Sequence, residues 1–167
     1  MVKQTPCAWM LRLLWLVAAA LALGACQSAP HMSDEARRAQ VLREQGFVQT
    51  EQGWELQLPG KLLFGFDSDV VTDESRRKLL HMGRALSEVG VRTLRVDGHA
   101  DDQGAPEYNE RLSLRRAQAV AQALADSGIA LDHIEVRGLG AKYPVAAGTS
   151  EAARQENRRV ALTVPVQ

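Results

Sequence analysis

The chain has 167 residues, with 20 lysines and arginines balanced by 20 aspartates and glutamates and no formal net charge. No basic stripe interleaved with aromatics appears, which argues against a nucleic-acid binder. Its four histidines, at positions 31, 81, 99 and 133, show neither zinc-ligand spacing nor a cysteine partner, so no metal and no other cofactor is expected.

Residues 1–25 read as a lipoprotein signal peptide and stand outside any fold argument. Lys3 and Arg12 supply its positive flank, and 11–23 is apolar apart from Arg12. That run is short of the roughly 20 apolar residues a membrane span needs. Met10 offers a second start that would keep a basic leader. Leu23-Gly24-Ala25-Cys26 resembles a lipobox, with Cys26 as the lipidated new N-terminus. Cys7 would leave with the leader, so Cys26 would be the sole mature cysteine and no intramolecular disulfide could form. Gln27 is not the aspartate that resembles an inner-membrane retention signal. Outer-membrane anchoring on the periplasmic side is therefore expected. The leader removes two bases and no acid, which leaves a slightly acidic chain large enough for one domain with one core.

Residues 26–45 lack an apolar core pattern and read as the lipidated cysteine and a tether, within which a short helix from Ser33-Asp34-Glu35 would stop at Gly46. The domain proper is expected over 46–167. Trp54, Leu56 and Leu58 alternate with Glu55 and Gln57, the period of a half-buried strand. Pro59-Gly60 breaks it, and 61–66 reads as a second extended run. Thr72 with Asp73 and Glu74 predicts a capped helix to about Val89, ended by Gly90. Leu94 and Val96 mark a strand that empties into an acidic loop. Pro106 and Glu107 open a long helix that Gly128 ends. Ile134 and Val136 mark another strand, Ser150 to about Gln155 a short helix, and Val160, Leu162 and Val164 a last strand. Alternating strands and helices predict an α/β (α+β) sandwich with helices packed on a mixed sheet.

The most informative stretch is Gly98-His99-Ala100-Asp101-Asp102-Gln103-Gly104, leading into the helix that carries Asn109-Glu110-Arg111-Leu112-Ser113-Leu114-Arg115-Arg116-Ala117. Leu112, Arg116, Val120 and Leu124 share one ridge of that helix. An arginine in an apolar ridge must snorkel, pair with an acid, or meet an anionic ligand. Asp101 is the acid best placed to meet it. His99, Asp101 and Ser113 could be arranged as a hydrolytic triad, but no nucleophile elbow or oxyanion loop accompanies them and Ser113 sits within a helix. An enzyme is not expected.

GHADDQG followed by NERLSLRRAQAV resembles the signature of the OmpA-like peptidoglycan-binding domain, and the likeness continues through 134–140, Pro144 and 157–160. Ala100 departs from it, standing where threonine is usual. The resemblance implies a βαβαβ core with helices mainly on one face. It also implies binding of the diaminopimelate-containing stem peptide of peptidoglycan. The free end of diaminopimelate pairs an ammonium with a carboxylate. Asp101 would take the first and the planar fork of Arg116 the second. Gly104 would let backbone approach the ligand, Asp67 would line the same pocket, and Tyr108 and Asn109 would shape its rim. Arg158 and Arg159 enter the last strand on opposite faces, so one of them could face the pocket.

The words EQGF, GWE, LFG, IEVRGLG, PVA and ENRRVA are similar to those of the YfiB-type outer-membrane lipoproteins, a branch of this family. That likeness implies capture of a periplasmic repressor, which frees an inner-membrane diguanylate cyclase and raises cyclic di-GMP. Leu42, Phe47 and Trp54 are the candidate contacts with such a repressor. They could equally form a lid on the domain. The alternative is a peptidoglycan-associated lipoprotein of the Tol system, tethering the outer membrane to the cell wall. A homodimer is left open.

Overall fold

In β2 (Gly53–Pro59) every second residue is apolar, and the strand finds its complement 100 residues later in β5 (Arg159–Pro165). The two run antiparallel, with Trp54 opposite Val164, Leu56 opposite Leu162 and Leu58 opposite Val160. Side chains alternate across a strand, so these six share one face. β3 (Leu94–Gly98) pairs antiparallel with the other edge of β5 and parallel with β4 (Ile134–Gly138). A short β1 (Val48–Thr50) closes a hairpin onto β2, giving the order β1-β2-β5-β3-β4. The computed structural model describes residues 32–65 and 68–166, so the leader, Cys26 and Asp67 lie outside the described residues.

Three helices cover the apolar face: α1 (Asp34–Glu44), α3 (Asp73–Glu88) and α4 (Pro106–Ala125). α4 is the crossover that the parallel β3–β4 pair demands. Leu79, Leu86, Val120 and Leu124 from the helices meet Val96, Val160 and Leu162 from the sheet, each at most 2% exposed. The cap is as expected: Thr72 Oγ1 accepts the Ser75 N–H. Gly90 and Gly128 follow the helix ends at φ +77° and +110°, a conformation cheap only for glycine. Within the described residues no helix is long and apolar enough to cross a membrane. The expected mixed-sheet α+β architecture is the one observed.

Three features differ from expectation. First, the run expected over 61–66 does not begin as an extended segment. Gly60–Leu63 winds into a one-turn helix, α2, because Gly60 donates to Arg158 O at 2.7 Å and the chain must turn away from β5 there. A Cβ on Gly60 would lie 2.7 Å from that same oxygen. Phe64 then bridges to Val71. Second, β1 is exposed throughout, so it carries no apolar alternation to reveal it.

Third, α1 belongs to the compact unit Asp34–Gln167 rather than to a tether, which moves the domain boundary from 46 back to 34. Gly46, at φ +88°, donates to Arg43 O, and Phe47 donates to Leu42 O, both at 2.9 Å. This Schellman closure brings the side chains at either end of it together. Leu42 is 0% exposed and Phe47 2%, so both are core residues and the lid alternative describes them. Of the three expected repressor contacts, only Trp54 remains partly open, with the Arg43 guanidinium 5.2 Å from its ring centroid.

Candidate functional site

The loop after β3 is built to hold one carboxylate still. Gly98 lets β3 run against α4: a Cβ there would meet Ser113 O at 2.0 Å. His99 N–H donates to Arg159 O and Ala100 N–H to Gly140 O, each at 2.9 Å, so backbone clamps both sides of the loop. Asp101 Oδ1 accepts the Gln103 N–H at 3.0 Å, an Asx-type turn. Gly104 completes the bend at φ +90°.

Asn109 closes the loop from the helix side. Its Nδ2 donates to Asp101 O at 3.2 Å and to Gln103 O at 2.7 Å. The residue is 4% exposed, so it is a buried brace rather than part of a rim. Tyr108 beside it is 47% exposed and lies next to Gly104.

Arg116 lies seven residues beyond Asn109, two turns along the same face of α4. Its Nε and Nη2 both donate to Ser68 O at 3.1 Å, and its guanidinium carbon lies 5.3 Å from the centroid of the Phe64 ring. The fork thus sits over an aromatic ring and is aimed by a backbone carbonyl. Asp101 is not its salt-bridge partner, contrary to the sequence-based pairing. The acid is 8% exposed, and its Oδ2 accepts from Arg158 Nη1 at 2.5 Å instead. The displacement follows from the topology: β5 lies beside β3, so the residue just before β5 reaches the loop just after β3.

A short helix, α5 (Glu151–Asn157), carries a further cation, Arg154, and has Arg158 as its C-terminal cap. Arg154 Nε reaches Asp102 Oδ1 at 2.7 Å, while the second fork nitrogen of Arg158 bonds Glu151. Arg154 and Arg158, four residues apart on one face, thereby hold the successive acids Asp102 and Asp101. The hydrogen bond from Arg154 keeps the Asp102 carboxyl below its usual range, and that from Arg158 does the same for Glu151. Burial works against the Arg158 charge, but Glu151 and Asp101 outweigh it and the net shift is upward. Glu151 and Arg154 were absent from the sequence-based site. The i, i+4 arginine spacing behind the Ser150 cap was the available signal. Arg159 points to the opposite face, donating to Gln57 Oε1 and Tyr143 O.

No hydrolytic triad forms. Ser113 Oγ donates to Glu110 O and accepts the Gly140 N–H, both at 3.0 Å. His99 Nδ1 is buried and makes no hydrogen bond among the described residues. Burial, then the positive charge of Arg159, pulls its pKa down to about 4. Among the described residues no group of three histidine, cysteine or acidic side chains could hold a metal ion. The site therefore presents fixed charges of both signs around a rigid loop, an arrangement suited to recognising a small zwitterion.

A family model described as the OmpA family matches residues 63–158. The outer-membrane lipoprotein YfiB of Pseudomonas aeruginosa is 42% identical over 159 residues, which cover 93% of this chain and 95% of that one. The solved peptidoglycan-associated lipoprotein from Burkholderia pseudomallei is 34% identical, with a TM-score of 0.56 over 64% of this chain and 87% of its own. The solved cell wall anchor of the T6SS from Pseudomonas aeruginosa is 30% identical, with a TM-score of 0.64 over 81% of this chain and 99% of its own.

Proposed function

The chain belongs to the OmpA family, and from that premise we propose that it is an outer-membrane lipoprotein binding the diaminopimelate end of the peptidoglycan stem peptide. The observation that carries this reading is the Asp101 loop, a buried-base carboxylate held by Gln103, Asn109 and Arg158 and opened at one side by Gly104. Asp101 receives the ligand ammonium through charge-assisted hydrogen bonds. Arg116, oriented by Ser68 O and Phe64, receives the carboxylate. Tyr108 lines the approach, and Asn109 braces the loop from beneath. Binding, not catalysis, is the whole of the chemistry. A lipid on Cys26 holds the protein to the outer membrane, with the domain in the periplasm.

Titrating the full-length protein in detergent with a diaminopimelate-containing muropeptide tests this. Saturable binding that Asp101→Ala and Arg116→Ala each abolish is expected. A folded wild type that does not bind overturns it.

The finer role is signalling, by capture of a periplasmic repressor that otherwise silences a membrane diguanylate cyclase. Its support is the degree of likeness to YfiB, 42% identical over 93% of the chain, against 30% over 84% for the peptidoglycan-associated lipoprotein of Haemophilus influenzae. Trp54 is the anchor on the closed surface, while Leu42 and Phe47 contribute beneath it by packing. A Tol-type structural tether is the competing role. Cyclic di-GMP levels in a deletion strain separate the two: a fall supports signalling, and an unchanged level with a leaky envelope supports the tether.

A further inference from the structure

Resting on the peptide-binding reading above, we infer that Glu151 is a positioning residue that keeps Asp101 available to the ligand ammonium by holding the charge of Arg158. The two fork nitrogens of Arg158 go to different acids, Nη1 to Asp101 Oδ2 at 2.5 Å and Nη2 to Glu151 Oε1. Arg158 is a cation already standing where a ligand cation must arrive.

The charges decide what that means. Asp101 and Arg158 alone sum to zero, and a neutral pair offers an ammonium little. With Glu151 the trio carries one net negative charge. Asp101 keeps acceptor capacity too, because each carboxylate oxygen has two lone pairs and the described hydrogen bonds take one on each. When an ammonium enters, the Arg158 fork can lean on Glu151, so like charges need not crowd a single carboxylate. Asp102 cannot do this work, since Arg154 already neutralises it.

Glu151 also has an ordinary structural role, as a first-turn acid of α5 behind the Ser150 cap. The two roles differ in what a second substitution does. If Glu151 acts only through helix stability, removing Arg158 as well makes matters worse. If it acts by holding Arg158, its substitution has no further effect on binding once Arg158 is gone.

The experiment is calorimetric titration of the full-length protein in low salt with the diaminopimelate tripeptide muropeptide, and with the same peptide acetylated on its side-chain amine. Glu151→Gln is expected to weaken the free-amine ligand about fivefold, in keeping with a partly exposed charge pair. Its thermal midpoint should fall by no more than an exposed ion pair at a helix start is worth, Glu151→Asp should retain most of the affinity, and the acetylated ligand should be indifferent to the substitution. In an Arg158→Gln background, which has its own cost through the lost support of Asp101, Glu151→Gln is expected to weaken binding no further. Undiminished binding by Glu151→Gln overturns the inference, as does a loss from Glu151→Gln that persists at full size in the Arg158→Gln background. No binding by wild type instead overturns the peptide-binding reading, and the same titration shows it.

Discussion

Asp101 and Arg158, 57 residues apart in the chain, meet at 2.5 Å where the loop after β3 abuts the end of α5. The contact ties the acid to the strand that runs through the middle of the sheet, because Arg159, the next residue, already belongs to β5. A carboxylate at 8% exposure needs such support: left without a partner, a buried charge costs several kcal/mol. The result is an acid whose position is fixed before any ligand arrives, so little ordering cost falls on binding.

Substituting either end of the proposed zwitterion site separates charge from shape. Asp101→Asn can still accept the Gln103 N–H, so the loop should keep its form while losing its charge. Muropeptide affinity should fall at least about tenfold, the usual scale for one charge-assisted hydrogen bond. Arg116→Lys should do the same, because a point-charge ammonium cannot reproduce the planar fork that donates from two nitrogens to Ser68 O beside Phe64. Titration with thermal melts as controls reads both. Near wild-type affinity in either variant, with the fold intact, removes that residue from the site.

Asn109 should matter without touching the ligand. Asn109→Asp keeps the size but replaces the Nδ2 donor with an acceptor facing two carbonyl oxygens, Asp101 O and Gln103 O. The mismatch in a site 4% exposed should cost about 1–3 kcal/mol and loosen the loop. Hydrogen exchange at Gln103, whose amide Asp101 holds, should accelerate in this variant while α3 amides stay protected. Unchanged exchange there means that the brace is dispensable.

Much of this was legible in the residues. The Gly-bounded acids, the arginine in an apolar ridge and the glycine-stopped helices are local signals; the helix stops fall where expected, whereas Arg116 bonds Ser68 O rather than Asp101. What escaped depends on neighbours set by topology. That Arg158 rather than Arg116 meets Asp101 follows from β5 lying beside β3, which no local pattern encodes. Leu42 and Phe47 looked like stray apolar residues because their partners come from elements far along the chain. The turn at Gly60 was hidden for a similar reason, since its cause is the oxygen of Arg158.

The Schellman closure at Gly46 sets the stability of the N-terminal helix. A Cβ there would touch only Leu56 Cδ1, at 3.5 Å, so Gly46→Ala isolates the backbone cost of φ +88°. About 1 kcal/mol is expected. Leu42→Ala should cost more, about 3 kcal/mol, because it empties a fully buried site. Urea unfolding measures both. Equal effects would mean that α1 is held by its turn rather than by its packing.

Acid should weaken the fold before it titrates the ion pairs. His99 is 6% exposed, and Arg159 from β5, Asp97 from β3 and Arg137 from β4 face it. Burial and then Arg159 lower its pKa from 6.5 to about 4. An unfolded chain therefore binds this proton below pH 6.5 while the folded one refuses it. The stability that neutral His99 contributes is complete above pH 6.5 and drains away as pH falls through 4, reaching about 3 kcal/mol in all. Asp69, Asp102 and Glu151 sit below the ordinary carboxylate range, so their losses come lower on the pH scale. Urea midpoints between pH 7 and 4.5 should fall for wild type and stay flatter for His99→Gln, which presents no proton to take up. Parallel profiles for the two proteins would place the acid sensitivity elsewhere than His99.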